Sequence, residues 1–350
     1  MAQARRVSAI IKYDNKDISA SLMPYVKSIS YRDAMSGQAD DLQITLEDRA
    51  GLWQSAWMPE LGATLDVSLV TENWQDAGML PQALRLGTFE LDEITSTGCP
   101  SEAQLKAVSV PFNNTLRGEE HTRSWEKAEL KTIANDIATA AELELFFDTD
   151  YNPTIERAEQ TEQSDLSFLS ALCGDYGLAL KISSGQLIIF DEAMYEAAEA
   201  VITIVKPGTL YTAIGNVIYL PAMLGYSFTR KLRDVYAACH VKYQQGQNKA
   251  LIEATFTAPG KTGKTLQVQE QVENTADAER LAKKRLREKN CDEVTGSLSL
   301  PGSFYLVAGV TVNMLGFGAY DGKYIITEAQ HNIGSGYTTG ISVRRCLDGY

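Results

Sequence analysis

Asp40-Asp-Leu-Gln-Ile-Thr-Leu-Glu-Asp-Arg-Ala50 carries the pattern that decides the fold. Leu42, Ile44 and Leu46 alternate with polar residues, and a period of two is expected of a β-strand with one buried face. The same alternation returns at 65–69, and similar short stretches separated by turn residues fill residues 7–112. This region is therefore predicted to form six or so strands of a barrel or sandwich, without a helix among them.

Residues 113–200 have a different character, with helical spacing in two stretches. The first helix is predicted to carry an apolar face and to be capped at Ser124; that face comprises Leu130, Ile133, Ala134, Ile137 and Ala141. The second is predicted to start after Ser164 and to stop at Gly177. A hairpin is expected to turn at Ser183–Gly185. The region is predicted to be a small α+β insert.

Residues 201–350 return to strand patterns, interrupted by one helix at about 276–290. Its acidic residues come early and its basic residues late, as the helix dipole prefers. The predicted domains are a first β-barrel at 1–112, the insert at 113–200 and a second β-barrel with the helix at 201–350. A second β unit of similar size suggests a duplication.

Composition narrows the function classes. The 350 residues contain five cysteines without a C-x-x-C pair and three histidines, which argues against a disulfide framework and a structural zinc site. No stretch approaches the ~20 apolar residues that span a bilayer, and no signal peptide is recognisable. We expect a protein made in a reducing cytoplasm, with no membrane insertion.

Charge is distributed unevenly along the chain. Residues 1–112 hold 9 basic and 15 acidic side chains (net −6), residues 113–200 hold 6 and 18 (net −12), and residues 201–350 hold 17 and 12 (net +5). The acidic first 200 residues would repel nucleic acid, so no specific nucleic-acid binding is expected.

Two stretches imitate ligand-binding motifs. Gly263-Lys264-Thr265 ends like a phosphate-binding loop, but the glycine required five residues earlier is Ala258, and a strand pattern follows instead of a helix. We interpret Gly260–Lys264 as a projecting basic hairpin loop. Residues 148–159 match a calcium loop, except that its essential glycine is Pro153, whose ring fixes φ near −65°. We interpret this stretch as an acidic helix-to-strand connection.

Other candidate residues have simpler explanations. The run Arg280–Lys289 has six Lys or Arg among ten residues and is interpreted as a solvated helix face. Asn113–Thr115 matches a glycosylation sequon, which matters only in a secreted protein. The remaining candidates are interpreted as structural: His121, His240 and His331, which have no second histidine nearby, and Trp53, Trp57, Trp74 and Trp125, which are scattered.

Three stretches together resemble the phage late control D family, the baseplate hub proteins of contractile tails. They are "EQTEQSDLSFLSALCGDYGLALKISSGQLIIFD" at 159–191, "TADAERLAKKRLREKN" at 275–290 with "GSLSLPGSFYLVAGVTVNMLGFGAYDGKYIITEAQHNIGSGYTTGISVRR" at 296–345, and "DDLQITLEDRAGLWQSAWMPELGATLDVSL" at 40–69. Each motif is loose, but their order and spacing are fairly specific and extend over nearly the whole chain.

The resemblance implies a trimeric hub, related to the hub part of type VI secretion spike proteins. In such a hub two similar β-barrels per subunit give a ring of six, which joins the hexameric tail tube to the trimeric central spike and encloses the channel. The implied partners are further copies of the chain, the tube and spike proteins, baseplate wedge proteins and the tape-measure protein. The implied location is the virion tail baseplate, assembled in the host cytoplasm.

The predicted function is structural, with no catalytic, cofactor-binding or metal-binding residue. Strands around Asp41–Asp48 and Ile341–Arg345 are expected to lie in the two barrels. Three alternatives stay open: a hub of an injection system or bacteriocin, a hub that also degrades cell wall, and a carbohydrate-binding β module. Glu119-Glu120 and Asp148-x-Asp150 are the only carboxylate clusters that the second alternative could use, and both are interpreted as solvated loops.

Overall fold

The computed structural model describes residues 4–74, 79–110, 115–244, 251–272, 274–347 and 349–350. Strands hold 48% of the residues and helices 17%, which confirms the prediction of a mainly β protein. The chain divides into two compact units. The first unit comprises Met1–Glu192, Ser299–Ala308 and Thr327–Ile341, and the second comprises Ala193–Leu298, Gly309–Ile326 and Ser342–Tyr350.

The described elements follow one another as short strands with few helices. The strands are β1 (Arg6–Tyr13), β2 (Lys16–Asp17), β3 (Val26–Ala34), β4 (Asp41–Glu47), β5 (Thr64–Glu72), β6 (Gln82–Thr97), β7 (Glu102–Val108), β8 (Glu120–Glu129), β9 (Glu144–Asp148), β10 (Thr154–Ser164), β11 (Ala179–Ser183), β12 (Gln186–Phe190), β13 (Ile202–Val205), β14 (Ile218–Leu220), β15 (Gly225–Arg230), β16 (Ala238–Gln244), β17 (Leu251–Thr257), β18 (Thr265–Val268), β19 (Val294–Pro301), β20 (Thr311–Leu315), β21 (Gly322–Ile333) and β22 (Tyr337–Arg345). The helices are α1 (Ser19–Leu22), α2 (Thr115–Gly118), α3 (Leu130–Ala140), α4 (Asp165–Asp175), α5 (Glu192–Ala197) and α6 (Thr275–Asn290).

In the first unit, antiparallel strands follow one another in the order β2-β1-β5-β6-β7-β4-β3-β21, and Glu328–Ile333 of β21 pair with β3. On β4, Leu42, Ile44 and Leu46 are buried while the intervening residues are half-buried, so the alternation read from the sequence does mark the core face. These side chains join apolar residues of β1, β3, β5, β6 and β7 in one core, and fully burying each Leu or Ile contributes ~1.5–3 kcal/mol.

One short helix interrupts this β region. The α1 turn spans Ser19–Leu22, and only Leu22 in it is buried. Ser19 Oγ accepts a hydrogen bond from Ile11 N at 2.9 Å, which ties the turn to β1. The prediction of a region without a helix was therefore wrong by one turn, because the alternation of apolar residues breaks at "SASL".

The first helix of the insert starts later than predicted. Residues 120–129 form β8, which pairs with β10 in antiparallel register, Ser124 lying opposite Glu159. The helix α3 begins at Leu130 after the extended residue Glu129, so the predicted cap at Ser124 was wrong. The apolar face from Leu130 to Ile137 is buried as expected.

The second helix and the hairpin of the insert agree with the sequence. Ser164 Oγ accepts from Ser167 N at the start of α4, and Gly177, at φ +74°, follows its end. The β11–β12 hairpin turns at Ser184 and Gly185, with φ of +53° and +77°, as a two-residue type I′ turn requires.

In the second unit, α6 packs on a three-stranded sheet in the order β17-β16-β18. The helix predicted at about 276–290 spans Thr275–Asn290, and Asn274 Oδ1 caps it by accepting from Asp277 N at 2.9 Å. Ala278, Ala282 and Leu286 face the sheet and are fully buried. Among the described residues, no helix has the length and apolar character needed to cross a bilayer.

Candidate assembly surface

One stretch of the second unit has no buried residue at all. Residues 206–236, called the open segment below, are exposed or half-buried throughout, although 16 of the 31 are apolar. That fraction is higher than the 44% of the whole chain. Four side chains are exposed most: Leu210 at 98%, Leu232 at 88%, Ile214 at 70% and Leu224 at 62%.

The open segment is nevertheless held at defined points. Phe228 stacks on Tyr320 with ring centroids 5.0 Å apart and meets Phe317 edge-on at 5.3 Å. A Cβ at Gly296 would clash with the Phe228 ring, and one at Gly316, at φ +89°, would clash with Thr209. These two glycines allow the segment to lie close to β19 and to the end of β20.

Exposure of this kind has a large energetic consequence. Burying a leucine or isoleucine side chain contributes ~1.5–3 kcal/mol, so covering the four most exposed ones would contribute ~6–12 kcal/mol before the cost of association. Apolar side chains exposed in such number along one stretch are typical of sites of interaction rather than of a free monomer surface. The open segment is therefore the candidate assembly surface.

The acidic insert of the first unit presents a contrasting surface. Strands β8 and β10 form a two-stranded ribbon, which we call the acidic ribbon. Six glutamates lie on it, at 120, 126, 129, 156, 159 and 162, against Arg123, Lys127 and Arg157. Ile155 and Ala158 turn inward to the core of the insert.

At one end of the acidic ribbon a buried carboxylate organises the polar side chains. Asp165 is fully buried, and its Oδ1 accepts from Arg123 Nη2 at 2.6 Å and from Gln160 Nε2 at 2.8 Å. His121 Nδ1 lies 3.1 Å from the same oxygen. These contacts fix Arg123 at the ribbon base, where its guanidinium lies 4.9 Å from the Trp125 ring.

A second polar cluster joins β3, the loop after it and β11 within the first unit. The ammonium of Lys181 lies between Asp33 and Asp40, 3.2 Å from Asp40 Oδ1. Burial raises the pKa of Asp40 to about 6 although Lys181 opposes this. Burial also works to lower the pKa of Lys181, but the two carboxylates outweigh it and hold that pKa above its usual value. We call this cluster the Lys181 junction.

A family model for the phage tail baseplate hub (GPD) matches residues 100–337. That range contains the acidic ribbon, the open segment and α6. The chain belongs to this family. The resemblance found in the sequence is therefore confirmed.

Individual relatives of the hub chain are distant. It is 27% identical over 180 residues to the probable baseplate hub protein of Escherichia phage P2, an alignment that covers 51% of this chain and 44% of that protein. The aligned stretch thus spans less than half of the phage protein.

Two solved structures share the fold of the hub chain. The 43 kDa tail protein of prophage MuSo2 from Shewanella oneidensis superposes with a TM-score of 0.71 at 12% identity, covering 98% of this chain and 100% of that one. The E. coli c3393 protein, a component of the type VI secretion system, superposes with a TM-score of 0.58 at 12% identity, covering 99% and 78%. At such identities the likeness concerns the fold alone.

The phosphate-loop imitation lies in a turn of the hub chain. Gly263 and Lys264 are exposed and lead into β18, and α6 starts only at Thr275, which confirms the strand expected there. Lys261 pairs with Glu293 and is half-buried. The backbone therefore offers no helix N-terminus to a phosphate at this loop.

The calcium-loop imitation connects two strands of the hub chain, β9 and β10, so the predicted helix-to-strand connection was wrong in its first element. Asn152 uses its side-chain oxygen to accept from Lys131 N at 3.0 Å, at the start of α3. Among the described residues, no three His, Cys, Asp or Glu side chains are grouped so as to hold a metal ion.

The basic run of α6 only partly forms a solvated face. Arg280, Lys283 and Lys289 are exposed, but Arg285 makes two hydrogen bonds to Glu270, at 2.8 and 2.7 Å. Arg287 binds Glu196, which is buried and also binds Arg344. Sequence periodicity could not show these pairings, because the acidic partners come from other elements.

The remaining candidates are mostly structural. His331 is fully buried, its Nδ1 is hydrogen-bonded to Tyr337 Oη at 2.7 Å, and burial lowers its pKa to about 4. Trp53 is buried, Trp125 stacks on Phe168 with centroids 5.4 Å apart, and Trp74 donates to Gly302 O at 2.6 Å. Trp57 differs, since it is 44% exposed. Asn113 lies outside the described residues.

Proposed function

We propose that the chain is a structural baseplate hub that works as a homotrimer with pseudo-sixfold symmetry. In this proposal it joins the hexameric tail tube to the trimeric central spike and encloses the channel. Wedge and tape-measure proteins are its further partners, and the virion tail baseplate, assembled in the host cytoplasm, is its location. A phage tail, a bacteriocin or an injection system would use the same chain in the same way.

The internal organisation supports this proposal. Closed cyclic symmetry needs identical contacts around each ring, so a trimer can meet six tube subunits only if each chain offers two similar faces. We propose that these are barrels at 1–112 and 201–350, flanking the insert at 113–200, with β4 and the end of β22 lying in one each. Two compact units rich in strands are compatible with this arrangement.

The observation that carries the proposal is the open segment. A 31-residue stretch with apolar content above the chain average and no buried residue is incomplete in a single copy. It lies inside the range matched by the hub family. A subunit that must be covered by other proteins is what a baseplate hub requires.

Mass measurement in solution tests the proposal. Native mass spectrometry and sedimentation of the full chain should give a particle near three times 38.4 kDa, or that mass plus the mass of the spike protein when the spike is added. The test variant is Leu210→Ser/Ile214→Ser, which should lower the trimer fraction, and unchanged unfolding of its monomer is the control. A dimer, tetramer or hexamer would contradict the proposal.

We also propose that the hub has no catalytic role. The side chain that a cell-wall hydrolase activity would use first is His121, because buried Asp165 orients its Nδ1 and Glu119 Oε2 lies 3.6 Å from its Nε2. A zymogram of the purified chain should show no clearing of peptidoglycan. Clearing that His121→Ala abolishes would overturn this proposal, and binding to a glycan array would favour the carbohydrate module instead.

A further inference from the structure

We propose that the open segment of one copy docks on the acidic ribbon of a neighbouring copy. This inference rests on the proposed homotrimer and names the two surfaces that hold its subunits together. Three observations support it: the two surfaces carry opposite charges, both are exposed, and a ring of three copies needs two unlike surfaces.

The open segment is basic as well as apolar. It contains Lys206, Arg230, Lys231 and Arg233 against Asp234 alone, so its net charge is 4 − 1 = +3. Leu232 lies exposed between Lys231 and Arg233 in a turn. Lys231 makes no ion pair with a described residue, and the described partner of Arg233 is its own neighbour Asp234, at 3.6 Å. The segment thus presents an apolar side chain flanked by two exposed cations, of which Lys231 has no ion-pair partner among the described residues.

The acidic ribbon has the opposite charge. Six glutamates against three basic residues give 3 − 6 = −3. Glu120, Glu126, Glu156 and Glu162 are exposed, and within the described part of the chain none of them has an ion-pair partner. Complementary potentials of this kind steer association and fix the register of an interface.

Symmetry requires two different surfaces. A patch that binds its own copy makes an isologous contact and closes a dimer, whereas a ring of three needs a head-to-tail contact between unlike patches. The open segment lies in the second unit and the acidic ribbon in the first, so every copy offers both halves of such a contact. Like charge also opposes the pairing of two open segments.

Charge reversal with rescue tests the contact in the full-length chain. Lys231→Glu/Arg233→Glu and Glu156→Lys/Glu162→Lys should each weaken trimerisation about tenfold or more, since each places like charges across the interface. The chain with all four changes should return to within about threefold of the original. The control is Lys242→Glu/Lys289→Glu, the same charge change at exposed residues of the second unit, with an expected effect within about twofold.

Zero-length cross-linking gives an independent readout. In a mixture of isotopically labelled and unlabelled chains, carbodiimide should link Lys231 to Glu156 or Glu162 between copies. A trimer that forms but ignores both reversals, or links only within one copy, overturns the contact and leaves the homotrimer standing. A chain that stays monomeric at every concentration, with and without spike, overturns both.

Discussion

Two regions of the chain show that the more apolar one is not the more buried one. They are the hairpin at 26–47, formed by β3 and β4, and the open segment at 206–236. The hairpin has 9 apolar residues among 22 and the open segment 16 among 31. Seven apolar residues of the hairpin are buried and none of the open segment. The arrangement along the chain explains the difference, because the hairpin alternates with a period of two while prolines and glycines interrupt the open segment. Apolar content alone therefore does not locate the core.

The largest loss of unfolding free energy is expected at Lys181, whose ammonium binds Asp33 and Asp40 of the hairpin. Lys181→Met leaves Asp33 and Asp40 buried without their cation, and breaking a buried ion pair in this way costs ~3–5 kcal/mol of unfolding free energy. Urea denaturation measures the loss. Lys106→Met is the control, because its pair with Glu93 is about half exposed and solvent screening makes its loss far less costly than that of a buried pair. Equal losses for the two variants would contradict a buried Lys181 junction.

The same substitution in both regions sharpens the contrast. Leu42→Ala removes a side chain that is 1% exposed and should cost ~2–5 kcal/mol. Leu210→Ala removes one that is 98% exposed and should change the stability of the monomer by less than ~0.5 kcal/mol. Thermal or urea unfolding at low concentration, where the chain is monomeric, separates them. A large loss for Leu210→Ala would show that the open segment is buried within the copy.

Acid should weaken the first unit through His331. The pKa of His331 in the folded protein is about 4, below its ordinary value of 6.5. Between these two pH values the unfolded state therefore binds more protons than the folded state. The free energy of unfolding should fall by ~3 kcal/mol as the pH drops from about 6.5 to about 4. Asp40 opposes this slope, because its raised pKa favours the protonated folded state below about pH 6. The measurement is therefore made in Asp40→Asn, where His331→Gln should flatten the profile. An unchanged slope would mean that His331 is not the group responsible.

The smallest free energy is expected for local unfolding of residues 206–236, the open segment. Outside the paired strands β14 and β15, its amides should exchange with deuterium far faster than those of β3 and β4 in the monomer, because few buried contacts hold it. Protection that appears only in the assembled particle would show where partners cover it. Strong protection in the isolated chain would remove the contrast between the two regions.

Much of the local structure was predictable, because it depends on local chemistry. The alternation at Leu42–Leu46 predicted β4, Ser164 predicted the start of α4, and the acidic start and basic end of its helix gave α6 within a residue or two. The start of α3 was mispredicted at Ser124, since a polar serine before an apolar helical face also occurs in a ribbon strand. Ser124 lies in a strand because it pairs with Glu159 of β10, 35 residues further along the chain.

The polar clusters were beyond reach of the sequence. Lys181 and Asp33 are 148 residues apart, and no spacing rule connects them. The open segment did leave a signal, in its Pro and Gly residues at 207, 208, 215, 221 and 225, which make an apolar stretch a poor strand. Counting such interruptions would have separated it from the core strands.

The interleaving of the two units along the chain affects how the protein is made. The first unit includes residues 299–308 and 327–341. In the second unit, buried Glu196 binds Arg344, which lies close to residue 350. On a ribosome, neither unit can finish folding until almost all of the 350 residues have been synthesised. In the proposed homotrimer, a nascent chain that still lacks these residues therefore cannot present a complete unit to its neighbours.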